Sequence, residues 1–166
     1  MSSSFVAILM GSDSDLPVMQ GTLDVLKSLG VNYEVKISSA HRTPEATKNY
    51  IQDAESRGCQ VFICAAGLAA HLAGNVAAHT LKPVIGVPMD GGPLKGMDAL
   101  LSTVQMPGGV PVATVAIGKA GAKNAGYLAA QILSVADAAL AQRLKDERAK
   151  NAEEVLAKDA ALQKTL

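Results

Sequence analysis

Charge is scarce in this chain. Lys, Arg, Asp and Glu together make up 18% of its 166 residues, and they cancel to a formal net charge of zero. No global basic field is available to gather nucleic acid, so an anionic ligand would have to be held by local groups. Aromatic residues make up 3% and there is no Trp. That argues against the stacking platforms that bind RNA or single-stranded DNA, and no nucleic-acid partner is expected. Cysteine is nearly missing as well. Cys59 and Cys64 flank or sit in one predicted strand and have neither C-x-x-C spacing nor nearby metal-ligand histidines. Five residues apart, they are expected on opposite faces of that strand, unbridged, with Cys64 in the core. No apolar run approaches the ~20 residues that span a bilayer. The opening Met1-Ser2-Ser3-Ser4 carries no basic n-region. The expectation is a cytoplasmic protein without a membrane partner.

Other signatures are missing too. No carboxylate pair is placed for glycoside chemistry, and no Ser or Cys sits in a nucleophile elbow. No His/Cys/Asp cluster has metal spacing, and neither G-x-G-x-x-G nor a P-loop occurs. There is no internal repeat, low-complexity block or linker, so 166 residues read as one domain. Its core is expected over about residues 5–134, followed by a C-terminal helix over about 137–162.

What the chain does have is apolar surface: 49% of residues are hydrophobic. A small monomer would struggle to hide that much, so subunit interfaces are expected. Phe5–Met10 is a continuous apolar run that reads as a buried strand. Asp15–Leu29 reads as a helix with Met19, Leu23 and Leu26 on one stripe. Ser14 or Asp15 is a candidate cap, Pro17 fits the first turn, and Gly30 fits the end. Asn32–Ser38 alternates like a strand. A helix from Pro44 to about Arg57, capped by Thr43 or Ser39, stops at Gly58. Val61–Ala65 and Val84–Pro88 read as strands, with a short helix between them ending near Thr80. Met97–Gln105 reads as a short helix, Val112–Ile117 as a strand, and Ala122–Ser134 as a helix. A long, more polar helix runs from Asp137 to about Leu162 and is expected to pack on a neighbouring subunit. Strands alternating with helices predict a parallel sheet covered by helices on both faces, an α/β architecture.

In such sheets ligands bind beyond the carboxyl ends of the strands, and the loops predicted there carry the chemistry. Ser39-Ala40-His41-Arg42-Thr43-Pro44 places an imidazole, a guanidinium and two hydroxyls together. Imidazoles move protons near neutral pH, and guanidinium suits phosphate or carboxylate. The alternative is a surface His beside a capping Thr, with Arg42 solvated. Gly11-Ser12-Asp13-Ser14-Asp15 reads as an anion cradle, with Asp15 able to accept from ribose hydroxyls, or simply as a helix cap. In Ala66-Gly67-Leu68-Ala69-Ala70-His71-Leu72-Ala73-Gly74, small residues let the backbone approach a ligand. His71 would touch that ligand or cap the short helix, and His79 reads as structural at the helix end. Gln105-Met106-Pro107-Gly108-Gly109-Val110-Pro111 and Gly118–Ala125 are ligand-loop candidates too, or plain loop and strand-to-helix turn. Any catalysis must lean on His41 and a shaped pocket.

Together the segments Gly11–Asp15, Ser39–Pro44, Ala66–Gly74, Gln105–Pro111 and Gly118–Ala125 closely resemble 5-(carboxyamino)imidazole ribonucleotide mutases, the class I phosphoribosylaminoimidazole carboxylase catalytic subunit family. The likeness runs from about Phe5 to Arg148. The resemblance implies a flavodoxin-like three-layer sandwich assembled as a homo-octamer, with the C-terminal helix reaching onto a neighbour and active sites at subunit junctions. It implies carboxylate transfer from the exocyclic nitrogen of a carboxylated aminoimidazole ribonucleotide to C4 in purine biosynthesis, with no cofactor or metal. An ATP-dependent carboxyaminoimidazole ribonucleotide synthase would supply the substrate. By matching position, Ser12, Ser39 and Arg42 would bind the 5′-phosphate, Asp15 the ribose, and His41 would be the general acid and base. Ala66, Gly67 and Leu68, with His71 and Leu72, would line the imidazole and carboxylate pocket. Two departures stand out: family members usually carry Gly at the position of Leu68 and Pro at that of Ala73. The stretch Met89-Asp90-Gly91-Gly92-Pro93 also differs from the usual pattern.

Two rivals follow. One is the branch that carboxylates aminoimidazole ribonucleotide directly with CO2. It typically has Lys in place of Arg42 and lacks the Ala69-Ala70-His71-Leu72 segment. The other is a non-enzymatic signalling, flavin or nucleotide-binding module on the same fold. A receiver domain needs an acceptor Asp where this chain has Ala65-Ala66, and a flavin module wants aromatic partners near its loops.

Overall fold

A computed structural model of the protein describes residues 4–165. The first three residues of the Met1-Ser2-Ser3-Ser4 stretch lie outside the described residues. Five strands form one parallel sheet: β1 (Phe5–Met10), β2 (Tyr33–Ile37), β3 (Cys59–Ala66), β4 (Val84–Pro88) and β5 (Ala113–Thr114). Their spatial order is β2-β1-β3-β4-β5. The helices are α1 (Leu16–Ser28), α2 (Pro44–Ser56), α3 (Leu72–Ala77), α4 (Met97–Val104), α5 (Lys119–Ser134) and α6 (Ala138–Gln163).

The apolar run of β1 is continuous because both faces of the strand are covered. Val6, Ile8 and Met10 pack with α1 and α5, whose contributions include Met19, Leu26, Ala125 and Ala129. Phe5, Ala7 and Leu9 face Ile51 and Ala54 of α2 and Leu72 and Val76 of α3. The period-2 pleat sorts alternate side chains into two cores, giving three layers. α1 ends as predicted at Gly30, which has φ +66. There the Gly30 N–H donates to Lys27 O and the Val31 N–H to Leu26 O, closing a Schellman motif.

Several boundaries move. α1 is preceded by a 3-10 turn, Asp13–Asp15, and neither Ser14 nor Asp15 caps the helix. Ser12 Oγ accepts from the Ser14 N–H instead. Thr43 sits at the N-cap of α2 without a side-chain cap. Its hydroxyl is occupied within the preceding loop, donating to Ser39 O (3.0 Å) and accepting from the Ser39 N–H (3.1 Å). β5 keeps only Ala113–Thr114, at the sheet edge. α5 starts at Lys119 rather than Ala122, from a glycine N-cap. Cys59 and Cys64 lie in the same core, not on opposite faces. The reason is a register shift: Phe5 pairs with Cys59 but Val6 with Val61, so Gln60 is an extra residue that reverses the alternation.

α6 begins with a capping bond that the sequence reading did not anticipate, Asp137 accepting from the Leu140 N–H. Leu140 is its one buried residue among those described. Val155, Leu156 and Leu162 stand more than half exposed on it.

Candidate active site

Strand order reverses at β1. The chain goes from β1 out to β2, then crosses to β3 on the other side. α1 covers one face and α3 the other, so the loops leaving β1 and β3 diverge and open a crevice between them. This is the topological switch point, where sheets of this order bind their ligands. A cavity of about 690 Å³ occupies it, within the range of small-molecule sites.

Four loops build its walls, one from each of β1 to β4. The first contributes Ser12 and Asp15, the second Ser39, His41 and Arg42, and the third Ala66, Gly67, Leu68, His71 and Leu72. Every residue given a role by the family resemblance therefore lines this one cavity. The fourth loop, Met89–Gly92, also lines it and had no assigned role, although it too leaves the carboxyl end of a strand. Gln105–Pro111 and Gly118–Ala125 are not part of this cavity's wall. Met106 instead packs over Gly74 of α3, where an added Cβ would lie 3.3 Å from its sulfur.

Local hydrogen bonds set the loops before any ligand arrives. Ser39 Oγ accepts from the Arg42 N–H (3.1 Å), folding the Ser39–Thr43 turn onto itself. The Arg42 guanidinium reaches across to Gly11 O (3.5 Å), tying the second loop to the first. Ser14 Oγ donates to Ser12 Oγ (2.9 Å), which in turn donates to Asp13 (3.2 Å). One cation and several hydroxyls thus converge where an anion would sit, with short side chains and free backbone around them.

Between the second and third loops the rings of His41 and His71 stand 5.3 Å apart, tilted 35°. His71 occupies the N-cap position of α3 but makes no side-chain cap, so its imidazole is directed to the cavity rather than to the helix. His79 makes a local bond, its Nδ1 2.8 Å from Asn75 O, and lies outside the cavity wall. Asp15 is half-buried, and burial pushes its carboxyl above the ordinary aspartate value; Asp13 nearby adds to this and a hydrogen bond from the backbone opposes it. Among the described residues, no three or more His, Cys, Asp or Glu side chains gather as a metal-holding group.

The loops match a known pattern. A family model described as AIR carboxylase aligns with residues 5–154, nearly the whole chain.

The chain belongs to the AIR carboxylase family.

Within this family it is 56% identical over 151 residues to the N5-carboxyaminoimidazole ribonucleotide mutase of Bacillus subtilis, covering 91% of this chain and 93% of that one. It is 52% identical over 158 residues to the enzyme of the same name from Thermotoga maritima, covering 95% and 91%. Among solved structures, Treponema denticola PurE superimposes with a TM-score of 0.87 at 31% identity, covering 96% of this chain and 99% of that one. The five-stranded parallel sheet with helices on both faces is thus shared with this PurE, the flavodoxin-like sandwich expected from the sequence.

Proposed function

We propose that this AIR carboxylase family member is an N5-carboxyaminoimidazole ribonucleotide mutase of purine biosynthesis, an isomerase that moves a carboxylate from the exocyclic nitrogen to C4. The observation that carries the reading is the juxtaposition of His41 with an anion anchor in one crevice. Arg42, Ser12 and Ser39 take the 5′-phosphate, and Asp15 takes the ribose hydroxyls. Ala66, Gly67 and Leu68, with His71 and Leu72, enclose the imidazole. All of these line the same cavity.

The chemistry follows from one imidazole serving twice. The N–carboxylate bond breaks and its electron pair stays on nitrogen, which takes a proton from His41. The CO2 so formed remains beside C4. The C4 electron pair attacks it, and the C4 proton passes to His41, restoring the acid for the next turnover. The two proton transfers fall at different steps, so a single group suffices. Holding CO2 against C4 makes the second step effectively intramolecular.

In this reading the chain acts as one domain in a cytoplasmic homo-octamer, supplied by an ATP-dependent carboxyaminoimidazole ribonucleotide synthase. The apolar residues left exposed on α4 (Met97, Leu101, Val104) and α6 (Val155, Leu156, Leu162) support assembly with further copies. The test of the catalytic assignment is His41→Asn. Substrate binding, followed by calorimetry, should survive, while turnover should fall by roughly 10²–10⁴ or more. Near-normal turnover in that variant would remove His41 from the mechanism.

A further inference from the structure

The fourth loop doubles back on itself. An added Cβ on Gly96 would lie 2.8 Å from Met89 O and 3.0 Å from Asp90 Cα, so the two ends of the loop touch. Those ends are pinned. The Met89 N–H donates to Ala66 O (2.9 Å), and the Gly118 N–H donates to Pro88 O (2.9 Å). The tip between them is built on left-handed backbone, with φ +76 at Gly92, +51 at Lys95 and +85 at Gly96. Its own hydrogen bonds are internal: the Lys95 N–H donates to Gly92 O (3.3 Å) and the Met97 N–H to Leu94 O (3.1 Å).

Leu68 of the third loop reaches that tip. A Cβ placed on Gly92 would overlap Leu68 Cδ2 and lie 3.8 Å from its Cγ, and among the described residues, chain neighbours aside, no other atom comes within 4 Å of it. Around Gly91 the same position is open, and Leu94 is exposed. Leu68 is itself held left-handed, at φ +55, where a leucine is rare. The Ala70 N–H donates to Leu68 O (2.8 Å) and closes its turn. This backbone carries the isobutyl group across from the third loop to the fourth. Leu68 remains 52% exposed, so its contact with Gly92 is a local one and not part of either core.

Resting on the functional reading above, we infer that Leu68 is a positioning residue, the catch that holds the Gly91–Lys95 tip and with it the Met89–Gly92 wall of the cavity. It acts through the fourth loop and not on the reacting atoms. Gly92 is its seat, because a Cβ there would displace the leucine. The reaction itself does not require leucine at this position, where family members usually carry Gly. The fourth loop of this chain does, and that loop also departs from the usual pattern, so the two departures meet in one contact. A tip released from the catch must be ordered again by each arriving substrate. Apparent affinity then falls with the fraction of molecules whose wall is in place.

The Lys95-Gly96 bond is a trypsin site at the tip, so the catch can be read without substrate. The intact protein is digested briefly, and cleavage after Lys95 is followed by mass spectrometry. Steady-state kinetics with the N-carboxylated substrate give the second readout. Burying half of a leucine side chain is worth about a factor of ten, so Leu68→Gly should speed this cleavage roughly ten-fold. KM should rise by a similar factor and kcat should fall less. Tm should stay within about 2–4 °C, because relief of the left-handed strain offsets the lost contact. Leu68→Met keeps an apolar side chain of similar volume and should be cleaved at the rate of the unmodified chain. Unchanged cleavage in Leu68→Gly would overturn the inference, and so would equal acceleration in both variants. Faster cleavage with an unchanged KM would overturn the positioning role. If the unmodified chain does not turn over the N-carboxylated substrate, the functional reading fails, and the cleavage comparison still decides whether Leu68 holds the tip.

Discussion

α1 and α5 pack against each other beneath the β1 loop of the cavity, and two glycines at this region should respond oppositely to alanine. Gly21 is interior to α1, and an added Cβ there would lie 3.8 Å from Lys123 Cβ and from the Lys123 backbone nitrogen, an ordinary contact. Alanine is more favourable than glycine inside a helix by about 1 kcal/mol, so Gly21→Ala should gain up to that amount and raise Tm by about 2–4 °C. Gly121 lies in the first turn of α5, where a Cβ would overlap the Ala116 carbonyl oxygen and sit 2.5 Å from its carbon. That carbonyl cannot swing away cheaply. Its neighbourhood is pinned by the Val115 N–H to Gly86 O and the Gly118 N–H to Pro88 O. Overpacking onto fixed backbone costs about 3 kcal/mol or more. Less the helical gain, Gly121→Ala should lose about 2 kcal/mol or more and lower Tm by at least about 4–8 °C. Thermal unfolding followed by circular dichroism, at one protein concentration because assembly shifts Tm, reads both. A Gly121→Ala protein melting within about 1 °C of the unmodified chain, or below it by less than Gly21→Ala, would refute this account of the helix pair.

Three further outcomes follow from the site and the core. Arg42→Ala should raise KM roughly 10–100-fold with little change in kcat, since hydrogen bonds to charged groups contribute about 1.5–3 kcal/mol and ~1.4 kcal/mol is tenfold; steady-state kinetics with an unchanged KM would remove Arg42 from the anchor. Burial raises the Asp15 carboxyl above its ordinary value of 3.8, so the folded state binds more protons than the unfolded one above that value and loses stability as pH rises through the folded pKa. Asp15→Asn should therefore melt higher than the unmodified chain at neutral pH, with the gain shrinking as pH falls toward 3.8, while substrate binding weakens; a lower Tm at neutral pH would contradict it. Burial pushes the Cys59 thiol up to about 11 and the fully buried Cys64 thiol up as well, so neither should react with a thiol reagent in the folded protein at mildly alkaline pH, and both should react after unfolding.

Much of this arrangement was legible in the chain because its signals are local. The Phe5–Met10 run, the Gly30 stop and the Met19, Leu23 and Leu26 stripe of α1 depend on short-range periodicity and turn chemistry, and these survive folding. The same holds for the site: Ser12, Asp15, Ser39, His41 and Arg42 follow strands directly, so strand order alone brings them to one crevice. Features that depend on pairing between distant segments were hidden. The side of the sheet taken by Cys59 turns on one extra residue opposite β1, and the capping hydroxyl of Thr43 is diverted by the Ser39 turn. β5 pairs with β4 only over Ala113–Thr114, although β2 at the opposite edge keeps five residues, so edge position alone does not set its length. The Met89–Gly92 wall carried the same signal as the other loops, a glycine-rich stretch after a strand, but its partner Leu68 becomes visible only when the two loops are set side by side.

The most direct measurement sets the two carboxylation routes against each other in the purified protein without ATP. One reaction contains the N-carboxylated aminoimidazole ribonucleotide, the other aminoimidazole ribonucleotide with CO2, and both are followed by appearance of the C4-carboxylate. Rapid turnover of the N-carboxylated substrate, far exceeding that of the CO2 route, is the predicted result. Rapid turnover with aminoimidazole ribonucleotide and CO2 alone would contradict the account.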